Sequence, residues 1–177
     1  MASDPAALLL AGALPVVLVT PPVVLVTPPV VLATPPVVLA TPPVVLDTNI
    51  VLDLFLFNDP RCTPLRAALD AQTLQWISTI EMRNELERVL DYTHLQPRMA
   101  FYKTSKAQVL AAFDTRAQLH DLAPRCVYTC KDADDQKFID LAVTHRSLLL
   151  SKDKAVLCMR KRLTVLGVFV MQALPSH

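Results

Sequence analysis

Glycine is almost missing from this chain: Gly12 and Gly167 are the two it has in 177 residues. No G-x-G-x-x-G and no G-x-x-x-x-G-K-[ST] loop can be written, which excludes dinucleotide-binding and P-loop chemistry built on a glycine cradle. A dominant charge is missing too. The 17 Lys and Arg against 16 Asp and Glu leave a net +1, too weak a field to hold nucleic acid or a membrane by bulk electrostatics. Charge of either sign is absent from residues 5–46. That stretch does not read as a membrane span, because its paired prolines remove backbone donors and break the ~20-residue helix a bilayer requires. The same prolines exclude a coiled coil. No basic region precedes it and Asp4 stands near its head, so no secretory signal is expected. A cytoplasmic location follows, with Cys62, Cys126, Cys130 and Cys158 as reduced, mostly buried thiols. Cys126 and Cys130 stand four apart without further partners at zinc-site spacing.

What the chain does contain is divided sharply. Nine of its 15 prolines fall within residues 15–46, in a seven-residue repeat Pro-Pro-Val-Val-Leu-X-Thr. The X position is Val19, Val26, Ala33, Ala40 and finally Asp47. Residues 47–177 carry all 17 basic groups and ordinary proline content. The organisation expected is a low-complexity, disordered arm over residues 1–43 and one folded domain over residues 44–173, about the size of a single domain.

Within the domain, short apolar runs alternate with helical periodicity. Val44-Val45-Leu46 ends at Asp47-Thr48-Asn49, and Ile50, Val51, Leu54 and Phe55 then share a helix face. Residues 63–74 form a second helix and residues 75–78 a strand. Thr79 caps a helix running to about Tyr92. An amphipathic helical stretch is expected over 98–119, a strand or loop over 126–129, and a helix over 134–145. A strand over 147–151, a helix over 154–162 and a last strand over 164–170 complete the chain. Strands that are apolar throughout and separated by helices indicate an α/β domain around a parallel sheet. Ligands in such sheets bind beyond the carboxyl ends of the strands. Asp47 and Asp153 occupy such positions.

A helical wheel at 100° per residue sorts the remaining acids. Glu85 lies roughly 80° from the centre of the stripe formed by Met82, Leu86, Val89 and Leu90, whereas Glu81 and Glu87 lie roughly 120° away. Asp135 precedes Phe138, Ile139 and Ala142 by three, four and seven residues and shares their stripe. Asp140 falls on the opposite, solvent side. Asp53 reads as a solvated charge, Asp132 as a helix cap, and His94, His120 and His145 as isolated. Acids converging on one place repel, and burial raises their proton affinity. A hard divalent cation, Mg²⁺ or Mn²⁺, resolves that conflict with oxygen ligands alone. Asn49 and Ser151 are placed to support the acids. Lys152 and Lys154, with Arg160 to Arg162, suit contacts to a phosphate backbone as well as a solvated helix end.

These segments together carry a resemblance. Val-Val-Leu-Asp47-Thr48-Asn49, Glu85-Leu-Glu-Arg-Val-Leu, Asp132-Ala-Asp134-Asp135-Gln-Lys-Phe-Ile and Leu-Leu-Ser151-Lys-Asp153 resemble the PIN-domain proteins. The nearest likeness is to the toxin components of bacterial toxin–antitoxin systems, ribonucleases of the virulence-associated protein C type. The resemblance implies a three-layer α/β/α fold with a central parallel sheet and a Mg²⁺- or Mn²⁺-dependent ribonuclease. It places Asp47, Glu85, Asp135 and Asp153 in the metal site and catalysis, Asn49 and Ser151 in support, and Lys152 and Lys154 on the RNA backbone. It also implies a cognate antitoxin as partner, admits a homodimer, and includes no membrane. Ala133 replaces a frequent proline of the family, and the repeat arm has no counterpart there. A non-cleaving module of the same shape and a metal-dependent phosphatase or receiver-like domain using Asp47 are the competing readings.

Overall fold

A computed structural model gives the fold of residues 41–175. The disorder expected of the arm over residues 1–43 therefore lies, but for its last three residues, outside the described residues. Val44, Val45 and Leu46 are 0%, 0% and 2% exposed. Burial on both faces is why this run carries no polar alternation. It forms β1 (Pro43–Leu46), the centre of an all-parallel sheet. β2 (Gln75–Thr79) pairs with one side of it and β4 (Leu148–Leu150) with the other. β3 (Gln118–His120) and β5 (Phe169–Met171) are the edges, giving the order β3-β2-β1-β4-β5.

Side chains of β1 alternate between two cores. Val44 and Leu46 join Trp76 and Leu150 beneath α1 (Thr48–Phe55), α2 (Thr63–Asp70), α3 (Ile80–Leu90), α4 (Gln96–Phe101) and α5 (Lys106–Arg116). Val45 joins Ile77, Leu149 and Val170 beneath α6 (Gln136–His145), α7 (Lys154–Leu157) and α8 (Arg160–Val165). The result is a three-layer α/β/α fold. Chain connections leave β1 toward β2 on one side and return to β4 on the other, so the switch point of the sheet lies between β1 and β4. Among the described residues no helix is long and apolar enough to cross a membrane.

Several boundaries differ from the sequence expectation. Residues 98–119 are not one helix. Lys103 takes a left-handed φ of 51°, and Ser105 opens α5 with a capping box shared with Gln108. The polar pair Thr104-Ser105 restarts the helix, and Gln118–His120 leaves it altogether to pair with β2. The helix expected over 63–74 stops at Asp70, and that over 154–162 is broken at Cys158-Met159 into α7 and α8. Thr164 and Val165 end α8 and do not begin the last strand, because Gly167 at φ 83° turns the chain first. Cys126 to Thr129 is loop. The scarcity of glycine has a visible cost. Asn58, Gln72, Lys103 and Arg146 all adopt positive φ, at about 1 kcal/mol each for a residue with a Cβ.

Candidate active site

The parallel ladder runs one residue past its strands. The Asp47 amide donates to the Leu150 carbonyl at 3.0 Å, and the Ser151 amide to the Met171 carbonyl at 3.0 Å. Asp47 and Ser151 are thereby set side by side at the switch point. Asp47 is 3% exposed and Ser151 0%. Ser151 Oγ donates to Asp47 Oδ2 at 2.5 Å, and Asn49 Nδ2 donates to the same oxygen at 2.8 Å. Ser151 Oγ also accepts from the Asp153 amide at 3.0 Å. One serine thus ties the loop after β1 to the loop after β4.

Asp47, Asp135 and Asp153 all stand at the N-cap of a helix, α1, α6 and α7 respectively. Aspartate is an ordinary choice there because its side chain satisfies a free amide. Only Asp153 does so, accepting from the Ala155 amide at 2.6 Å. The side chains of Asp47 and Asp135 make no cap bond. Asp47 turns to Ser151 and Asn49, and Asp135 Oδ2 is buried with no hydrogen-bond partner at all. A buried carboxylate oxygen without a donor is costly. Neighbouring negative charge adds to that cost. Burial pushes Asp135 up to about 7, and Asp47, Asp153 and Asp132 add to the shift against Lys137. Burial also raises Asp47, against the opposing bonds from Ser151 and Asn49.

Glu85 reaches the same region from α3 but arrives with partners. Thr48 Oγ1 donates to Glu85 Oε1 at 2.7 Å, and the Lys137 ammonium pairs with Oε2. Lys152 follows Ser151, yet its ammonium pairs with Asp53 and lies 3.6 Å from Asp59. Lys154 is exposed and forms no ion pair among the described residues. Asp53, expected to be solvated, has a side chain only 13% exposed because Lys152 folds over it.

Asp140 corrects the wheel most plainly. It is 9% exposed, accepting from the Cys126 amide at 2.8 Å and from Gln136 Nε2 at 2.6 Å. Gln136 Oε1 in turn accepts from the Cys130 amide at 2.6 Å. The loop before α6 covers the side of the helix that a lone wheel leaves in water, and these two polar residues satisfy its amides. That network anchors the loop leading into Asp135. Asp132 accepts from the Asp134 amide at 2.9 Å within this loop, while the cap position itself belongs to Asp135. His120 and His145 are not isolated, since their rings meet at 4.5 Å. Cys62, Cys126 and Cys130 are buried and Cys158 is exposed. Nothing local in the sequence marks Lys137 or Thr48 as the partner of an acid on another helix.

Among the described residues no three acid, histidine or cysteine side chains are already closed into a cation cage. A family model described as PIN domain matches residues 43–155. The chain belongs to the PIN-domain family. No curated protein matches it in a search of such proteins. PIN domains are generally nucleases that use divalent metals, and the donors here fit one. Asp135 Oδ2 lacks a partner, the charges of Asp47 and Asp153 act on Asp135, and the donors are oxygen only, as Mg²⁺ and Mn²⁺ prefer.

The burial of Asp135, with the acids around it, predicts a pH dependence in the metal-free protein. Folded Asp135 binds its proton up to about 7, against 3.8 without perturbation. Between these values the folded chain holds more protons than the unfolded one, so stability falls as pH rises from about 4 to about 7 and is then level. Thermal melts in EDTA should show this decline in wild type and a shallower one in Asp135→Asn. Equal slopes in the two proteins would contradict it.

Proposed function

We propose that this PIN domain is a metal-dependent endoribonuclease acting on RNA phosphodiesters, the toxin of a toxin–antitoxin pair working in the cytoplasm. The domain would span residues 44–173, with the repeat arm a separate addition. The observation that carries this reading is the buried, unpartnered Oδ2 of Asp135 beside two further aspartates at the switch point of the sheet. Asp47, Asp135 and Asp153 would hold Mg²⁺ or Mn²⁺. When bound, the cation supplies charge stabilisation of the phosphoryl oxygens and activation of water. The residues of the chain prepare for this. Ser151 and Asn49 hold Asp47 in place, both side-chain bonds falling on one oxygen. Asp153 spends one oxygen on its helix cap and keeps the second free. The exposed Lys154, Arg160, Lys161 and Arg162 would meet backbone phosphates, a role for which the ammonium of Lys152 is less available. The cognate antitoxin would act by covering this edge of the sheet.

Purified full chain incubated with single-stranded RNA should yield internal cleavage products with Mn²⁺ or Mg²⁺ and none with EDTA, read by mapping the cut ends. Intact RNA under all conditions, with cation-dependent binding retained, would support the non-cleaving module instead.

A further inference from the structure

Glu85 differs from the three aspartates in one respect: both of its oxygens are committed. Thr48 Oγ1 holds Oε1 at 2.7 Å, and the Lys137 ammonium holds Oε2. Thr48 follows Asp47 directly in the chain, so the bond to Oε1 ties Glu85 to the strand end that carries the first aspartate. Lys137 is itself fastened at three points. Its ammonium pairs with Glu85, donates to the Asp134 carbonyl, and lies 4.9 Å from the centroid of the Phe138 ring. The pair is largely enclosed, with side chains 20% exposed for Lys137 and 15% for Glu85. It lies on the wall of a groove of about 420 Å³ that Asn84, Arg88 and Asp134 also line.

We infer that Lys137 is the built-in counter-ion of Glu85 and makes this a one-cation site, with the ammonium standing where a second divalent ion would otherwise bind. This rests on the metal-nuclease reading above. A second divalent ion near Glu85 would have to displace the ammonium and leave it without its carboxylate, which is unfavourable. A monovalent cation on a fixed stem balances one carboxylate fully. The other three acids form no ion pair among the described residues, the Lys137 ammonium acting on Asp135 only from a distance, and they remain for the single cation. Lys137 is therefore a positioning residue: it acts through Glu85 on the number of ions held, and its ammonium also borders the groove beside the acids.

The test counts cations on the full chain. Mn²⁺ titration followed by calorimetry and by the electron paramagnetic resonance signal of free Mn²⁺ should find one tight ion per wild-type chain. Lys137→Met, which keeps the length and apolar stem, should take up a second ion at least tenfold more tightly than wild type does, with Lys137→Gln as a second variant should Met perturb folding. Lys137→Met combined with Glu85→Gln should return to one. Two tight ions in wild type, or one in each of the folded Lys137 variants, would overturn the inference while leaving the nuclease reading standing. No bound cation in wild type would overturn both.

Discussion

Asp47→Asn should lower divalent-dependent RNA cleavage by about a thousandfold or more. Under the role proposed for Asp47, loss of a ligand that helps to stabilise the charged transition state would be worth several kcal/mol, and each 1.36 kcal/mol is a factor of ten. The fold should survive. An asparagine at this position still offers one oxygen to Ser151 and Asn49, whose donors lie 2.5 and 2.8 Å from the present carboxylate. In the metal-free state the variant should melt at the same temperature or higher at pH 7, because burial disfavours the ionised form of Asp47. The pairing of these outcomes is what makes the experiment decisive. Mn²⁺ should raise the melting temperature of wild type, by mass action on the folded state, and should do so far less for the variant. Full activity in pure Asp47→Asn protein would remove Asp47 from the site.

The largest expected loss of stability lies well inside the domain. Trp76 is 1% exposed on β2, stacked on Phe55 at 5.9 Å and meeting Phe113 edge-on at 4.8 Å. It joins α1 and α5 to the centre of the sheet. Trp76→Ala should cost about 3–5 kcal/mol in urea unfolding, from lost burial plus the cavity left behind. That is a large fraction of the 5–15 kcal/mol that holds a typical domain. Trp76→Phe should cost much less. The indole N–H is buried without a partner, and phenylalanine removes that unsatisfied donor while keeping most of the ring contact. Similar losses in the two variants would mean that the indole packing geometry, and not burial, carries the stability here.

What was readable in the residues was the layout of strand, acid and helix. Val44-Val45-Leu46 ahead of Asp47, and Leu148-Leu149-Leu150 ahead of Ser151 and Asp153, give local patterns of period and burial. A parallel sheet turns such patterns directly into positions at one edge. Thr79 as a helix cap was equally legible, since its hydroxyl accepts from the Met82 amide three residues on. Short-range failures have short-range causes. The restart at Ser105 and the turn at Gly167 divide segments whose apolar spacing alone looked continuous.

Partnership was not legible. Asp140 looked solvated because a wheel knows one helix and not the loop that closes over it. Asp53 looked solvated because Lys152, 99 positions later, reaches it only in three dimensions. The sequence by itself determined that this is a parallel α/β domain of the PIN type, with acids at its strand ends, because strand-to-helix transitions are written in neighbouring residues. Only the tertiary structure decided which of those acids has a free oxygen. Ser151 meets Asp47 across 104 positions and Thr48 meets Glu85 across 37. Whether a carboxylate keeps its charge for a ligand or spends it on a lysine depends on such distant partners, and on the low dielectric that makes each choice costly to reverse.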